Sequence, residues 1–239
     1  MTKNYDNSIV IKPWGKEYNI FRVKKKFAIT YLKIKKNNCT SLHCHPKKKT
    51  GFLILSGGAY VQLGIYKKNT SYYKPMSILV LRPGLFHKIS APKNTDLYAL
   101  EIETPYIKSD LIRFKDEYGR QSKGYESLKY SKKIETKNVI FKLPKVNKPN
   151  IYKLNNVKIV LSYFKSFNSY KNFDDKSVSV ICDGELTEKN GRTVISAGEI
   201  VRSYTLKKLE NFYKIKNKIL IMKAIKLKKT WNKKKNNIY

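Results

Sequence analysis

An all-β barrel or jelly roll is the architecture this sequence predicts, and three observations carry that expectation. Short segments rich in Ile, Val, Tyr, Phe and Thr recur along the chain, separated by Gly, Pro, Asn and Ser turns every several residues. Helical periodicity is scarce. The three histidines of the chain, His43, His45 and His87, all lie on two strand-and-turn segments of the first half, S-L-H-C-H-P-K-K-K-T-G-F-L-I-L-S-G-G and R-P-G-L-F-H.

Residues 1–12 read as an arm leading into Lys12-Pro13-Trp14-Gly15, where Pro and Gly bracket a turn and Trp14 anchors a core or lid. Tyr18–Val23 and Phe27–Ile34 alternate as strands, and Thr40–His45 is the strand bearing the histidine pair. Gly51–Leu55 is a continuous apolar strand, Ser56-Gly57-Gly58 a tight turn, and Ala59–Tyr66 pairs back. Ser77–Leu81, a strand led by His87, and Leu97–Glu103 complete the first unit. Ser109–Tyr118 is the best helix candidate, with Ser109 as cap and Asp110 in the first turn. Residues 121–150 are polar and Lys-rich, with Pro144 and Pro149. Strands return from Asn156 to Lys226. The organisation expected is a histidine-bearing domain over 1–126, a linker or crossing arm over 127–150, a second β domain over 151–228 and a basic tail over 229–239.

The length of 239 residues suffices for a real core, and 41% hydrophobic with 13% aromatic residues excludes a disordered chain. No apolar run approaches the ~18 residues of a membrane helix, and the N-terminus shows no apolar signal region. Cys39, Cys44 and Cys182 form no disulfide framework. Together these features predict a cytoplasmic protein with no membrane partner. The formal net charge is +34. The lysines are spread from end to end and outnumber arginines 45 to 6, beside abundant Asn, Ile and Tyr. That pattern reads as AT-rich codon bias, because a nucleic-acid reader uses Arg for bidentate contacts. Nucleic acid is therefore expected to bind only non-specifically.

Side chains alternate along a strand, so His43 and His45 share a face and Cys44 points the other way. If the sheet curls into a barrel, His87 closes a triad with them. Three neutral imidazoles make a divalent metal site with open positions, zinc first, with iron, nickel or manganese as alternatives.

His-x-His followed by a Gly-ended apolar run, and then Gly-x-x-His, resembles the two motifs of the cupin superfamily. The first cupin motif carries a Glu where this chain has Thr50. The second has Pro two residues before its Gly, whereas Pro83 directly precedes Gly84. Lys12-Pro13-Trp14-Gly15 and the stretch from Asp110 to Arg120 (D-L-I-R-F-K-D-E-Y-G-R) narrow the resemblance to cupins related to type II mannose-6-phosphate isomerases, over residues 11–126. The resemblance implies a cupin double-stranded β-helix. In the second half, Cys182-Asp183-Gly184-Glu185-Leu186 followed by Ser196-Ala197-Gly198-Glu199 echoes the turns of the first. A bicupin with a degenerate, metal-free second unit is therefore expected.

The function implied is a metal-binding cupin acting on a sugar phosphate or nucleotide sugar, by isomerase or epimerase chemistry, in carbohydrate or surface-polysaccharide biosynthesis. A non-catalytic sugar-binding cupin and a three-histidine iron oxygenase are the alternatives. For an isomerase, the metal polarises a carbonyl and Glu101 or Glu103, on one face of its strand, moves the proton. Lys47, Lys48, Lys49 and Arg82 are candidates for a phosphate group, Arg113 and Arg120 belong to the exit motif, and Tyr60 and Gln62 are candidates for the pocket wall. A homodimer is compatible with this reading.

Overall fold

The computed structural model describes residues 7–120, 130–170 and 176–227. The expected basic tail over 229–239 lies outside them. The first half runs β1 (Ser8–Lys12), β2 (Gly15–Val23), β3 (Phe27–Ile34), β4 (Leu42–Cys44), β5 (Lys49–Ser56) and β6 (Ala59–Leu63). It continues with β7 (Thr70–Tyr73), β8 (Ile78–Leu81), β9 (His87–Ser90), β10 (Leu97–Thr104), β11 (Ile112–Lys115) and β12 (Ser131–Lys133). These strands form a seven-stranded sheet, β12-β1-β2-β3-β10-β5-β8, facing a five-stranded one, β11-β4-β9-β6-β7. The pairing is antiparallel throughout, and the two sheets make a double-stranded β-helix, the fold that the motifs imply.

Alternation sorts each strand of the larger sheet into two faces. Trp14, Leu32, Ile34, Phe52, Ile54, Leu97 and Ala99 pack inside the barrel with Val61, Leu81 and Ile89. Ile20, Phe27, Ile29, Leu53, Leu55, Leu100 and Ile102 point outward, yet all are buried. What covers them is the second half: β13 (Asn150–Leu154), β14 (Val157–Phe164), β15 (Val178–Thr187), β16 (Thr193–Ile195), β17 (Ile200–Arg202) and β18 (Lys214–Lys226). They form one sheet, β13-β14-β18-β15-β16, with β17 also on β15. Its residues Ile159, Leu161, Val178, Val180, Leu220 and Met222 join the outward face of the barrel in one core. The approach is closest at Gly51, where an added Cβ would lie 2.3 Å from Ile200 Cδ1.

The described residues of the second half therefore do not close a second barrel. Both faces of their sheet are already taken. One lies on the first barrel, and the other carries Phe164, Ile181, Ile219 and Ile221 under α1 (Ser203–Lys208) and the turn at Phe167–Tyr170.

Three further expectations change. Residues 1–12 are more than an arm, since Ser8–Lys12 is paired on both sides. Within 127–150, Ser131–Lys133 extend the first sheet and Phe141 enters the core. The helix expected over Ser109–Tyr118 is instead strand β11, paired with β4 through Ile112↔Cys44 and Arg113↔His43. The strand β4 would otherwise be an open edge, and that pairing outweighs a marginal ten-residue helix. Asp110 does not serve a helix N-terminus; its carboxylate accepts the backbone N–H groups of Lys47, at 3.0 Å, and Lys48, at 2.9 Å.

Candidate metal centre

Register brings the imidazoles together. His43 on β4 pairs directly with His87 on β9, and His45 follows two residues on, turned to the same face. Ring centroids are separated by 4.5 Å (His43–His87), 5.0 Å (His43–His45) and 5.4 Å (His45–His87). One ligand atom from each ring lies within 4.8 Å of the others.

The rings are also oriented. Each Nδ1 lies against a backbone carbonyl: His43 on Ser41 at 2.8 Å, His45 on Asp110 at 2.6 Å and His87 on Leu85 at 3.0 Å. A carbonyl only accepts, so Nδ1 carries the proton and Nε2 keeps its lone pair. Burial lowers all three pKa values, His43 well below its ordinary 6.5, His45 to about 3 and His87 to about 4. Nε2 of His45 and of His87 is buried with no hydrogen-bond partner. A buried polar atom left unpaired costs ~1–3 kcal/mol. Two of them within one three-histidine cluster, on rings fixed from behind by carbonyls, fit a divalent ion such as zinc.

Glu101 and Glu103 turn inward from β10 into the same cavity, of about 60 Å³, along with Lys48, Lys108, Arg113 and Arg120. Glu101 Oε1 stands 4.0 Å from His45 Nε2. Burial, reinforced by the charge of Glu103, raises the Glu101 pKa to about 8. Glu103 behaves oppositely. Burial pushes it up, but Lys108 and Lys48 outweigh that and hold it below the usual carboxylate range. Register places Glu103 across from Thr50, the position where the cupin motif has its Glu. The Thr50 hydroxyl is buried without a partner, so the nearest carboxylate on that wall comes from β10, already bound by lysines.

Of the other expected site residues, only Arg113 lines the cavity. Lys49 lies on the outward face of β5 and its ammonium pairs with Glu199 of the second half. The side chain of Lys47 is exposed. Arg82 is exposed and donates to the Pro83 carbonyl. Tyr60 is 46% exposed and packs on Tyr72 outside the barrel. Gln62 is buried but donates to the Gly64 carbonyl, away from the cavity. Cys44 is buried on the opposite face, as alternation requires.

Lys48 was expected only as one of three consecutive lysines, and Lys108 was not expected as a site residue. For Lys48 the signal was the parity of β5: counting back from the inward Ile54 and Phe52 through Thr50 reaches Lys48, not Lys47 or Lys49. Lys108, in the loop after β10, has no comparable signal. Arg120 is held by a bidentate contact to Asp116, with Nη2 at 2.7 Å from Oδ1.

These pKa shifts predict how the metal-free protein responds to pH. Between the folded values and 6.5, unfolded imidazoles hold protons that the folded ones do not, so each loses up to ~1.4 kcal/mol of stability per pH unit as pH falls through that range. Glu101 acts in the other direction. Its folded pKa of about 8 exceeds the ordinary 4.5, so stability falls as pH rises between them. Three imidazoles outweigh one carboxyl below pH 6.5, and above it Glu101 acts alone. Thermal melts of the metal-free chain are expected to peak near pH 6.5. Glu101→Gln is expected to remove the decline toward pH 8 and leave the acid limb in place.

Residues 2–116 match the family described as "Mannose-6-phosphate isomerase C-terminal". The xanthan biosynthesis protein XanB of Xanthomonas campestris pv. campestris (strain B100) is 27% identical over 117 residues, 46% of this chain and 23% of the relative. The alginate biosynthesis protein AlgA of Pseudomonas fluorescens is 26% identical over 119 residues, 47% of this chain and 23% of the relative. The chain thus corresponds to under a quarter of the length of these curated relatives. Among solved structures, the capsular polysaccharide assembling protein CapF from Staphylococcus aureus is 14% identical with a TM-score of 0.40, over 45% of this chain and 34% of that one. Among the described residues no helix is long and apolar enough to cross a membrane.

Proposed function

We propose, from the premise that the first half of this chain is a cupin matching the mannose-6-phosphate isomerase C-terminal family over residues 2–116, that it binds a divalent metal and isomerises or epimerises a sugar phosphate or nucleotide sugar. Its place would be cytoplasmic, in carbohydrate or surface-polysaccharide synthesis; the relatives XanB and AlgA are named for xanthan and alginate biosynthesis. The observation that carries this reading is the cluster of His43, His45 and His87, with one ligand atom of each within 4.8 Å of the others, beside a buried carboxyl, Glu101, 4.0 Å from His45.

His43, His45 and His87 would hold the ion, which supplies Lewis acidity toward a carbonyl or hydroxyl oxygen. The chain's own groups do the rest. Glu101, with a pKa raised to about 8, is near balance between acid and base at neutral pH. It is suited to take a proton from the carbon next to a carbonyl and return it to the neighbouring carbon. Trp14, Leu32, Phe52 and Ile89 wall the cavity with apolar surface and limit water. Glu103, held ionised by Lys48 and Lys108, is the weaker candidate for a base.

The test is exchange of the C2 proton in deuterated water, followed by NMR, with zinc-loaded protein and mannose 6-phosphate or a nucleotide sugar. The expected result is exchange with turnover, reduced by about 10²-fold or more in Glu101→Gln. Sugar retained intact, without exchange, would contradict catalysis and favour the non-catalytic reading, for which Thr50 in place of the motif Glu speaks. Iron-dependent oxygen consumption would favour the oxygenase.

A further inference from the structure

We propose that residues 142–153 and the end of β14 beside them form a basic, aliphatic surface that docks on an anionic lipid bilayer. This surface belongs to the second half, and its role is independent of the metal cavity in the first barrel.

Residues 136–170 contain seven lysines and no Asp, Glu or Arg. Lys137 is paired with Glu135. Among the described residues no carboxylate pairs with the other six, Lys142, Lys145, Lys148, Lys153, Lys158 and Lys165. Register even sets four of them against one another. Lys153 lies opposite Lys158 across β13 and β14, and Lys145 opposite Lys148 in an isolated bridge before β13. Like charges directly opposite destabilise a strand pair. An anionic surface laid against them removes that cost.

Aliphatic side chains stand among these lysines: Leu143 is 57%, Val146 47% and Ile151 58% exposed. Alternation puts Ile151 and Lys153 on one face of β13, with Val160 and Lys158 across from them on β14. Beyond the end of that pairing, Val146, Lys148, Lys165 and Lys218 line a hollow of about 350 Å³. The Lys218 ammonium stands 4.7 Å from the centroid of the Tyr163 ring, which lines it too. Three ammonium groups around a hollow of that size suit a lipid phosphate.

Charge alone fits any polyanion, but composition favours a bilayer. A nucleic-acid surface uses Arg for phosphates and exposed aromatic rings for bases. This stretch has no Arg, and its exposed apolar side chains are aliphatic. Aliphatic side chains between lysines enter the headgroup layer while the ammonium groups stay with the lipid phosphates. The expectation of no membrane partner rested on the lack of a spanning segment, and a peripheral contact needs none.

The test is co-sedimentation of the whole chain with vesicles of phosphatidylcholine, alone or with about 30% phosphatidylglycerol, at ~0.15 M salt. The variant Leu143→Ser/Val146→Ser/Ile151→Ser keeps the charge. The variant Lys145→Gln/Lys148→Gln is compared with Lys74→Gln/Lys93→Gln, two exposed lysines of the first half whose loss changes the net charge equally. Binding to the anionic vesicles alone is expected. The serine variant is expected to weaken it about tenfold or more, and the Lys145 and Lys148 changes several-fold beyond the control pair. If the serine variant fails to fold, the two lysine pairs still decide. Equal loss in both lysine pairs would mean diffuse charge only and overturns the proposal, as does no sedimentation with anionic vesicles. A single-stranded oligonucleotide that binds where vesicles do not, and is weakened by the same variants, would assign the surface to nucleic acid and likewise overturn it.

Discussion

His45→Ala is expected to lose stoichiometric zinc while the barrel stays folded. His45 lies just past the end of β4, so its removal breaks no strand pairing, and its Nε2 has no protein hydrogen-bond partner to lose. The ring does pack against the other two imidazoles and donates to the Asp110 carbonyl. A modest loss of stability is therefore expected, of the order of 1–2 kcal/mol, read as a small fall in melting temperature. Metal affinity is expected to drop far more, by about 10²-fold or greater, because two remaining imidazoles do not complete a tetrahedral set. Metal analysis after dialysis against buffer of known free zinc reads the effect. His87→Ala is expected to behave alike. Full occupancy in His45→Ala would mean that the ion, if any, sits elsewhere.

The second large effect concerns the second half. A chain ending at residue 150 is expected to aggregate or self-associate instead of yielding a free barrel. The outward face of the larger sheet carries Ile20, Phe27, Ile29, Leu53, Leu55, Leu100 and Ile102, each at most 2% exposed in the intact chain. Uncovering them forfeits burial worth of the order of 10 kcal/mol, an upper bound on area arithmetic. Such a continuous apolar face is itself an aggregation surface. Sedimentation velocity and dye binding would report it. A monodisperse truncated barrel that melts cooperatively would show that the C-terminal sheet is dispensable.

The barrel and its imidazoles were legible because each rests on strand periodicity. The spacing of His43 and His45 fixes a common face, and Gly57, with φ of +83°, makes the turn that its position announced. Phe27–Ile34 matches its expected span, and the inward turn of Glu101 and Glu103 follows the same period of two. Other features depend on which strands meet, and local sequence does not report that. Ile112 and Phe114 alternate like a strand while Ser109 and Asp110 carry helix-capping signals, and it is the partner that the edge of β4 needs that decides for the strand. The second half was legible strand by strand. Its assembly as a single sheet was not, because the echo of the Gly turns says nothing about the face it covers. Choosing Lys48 over its neighbours required only parity, and its contact with Glu103 required the register of β10 against β5.

The most direct measurement is X-ray absorption at the metal edge of the zinc-loaded chain. The predicted result is three imidazole nitrogens at about 2.0–2.1 Å with the outer-shell scattering of rings, completed by light oxygen donors. A spectrum with one imidazole or none, or with sulfur scatterers from Cys44, would contradict the central claim that His43, His45 and His87 hold the ion together.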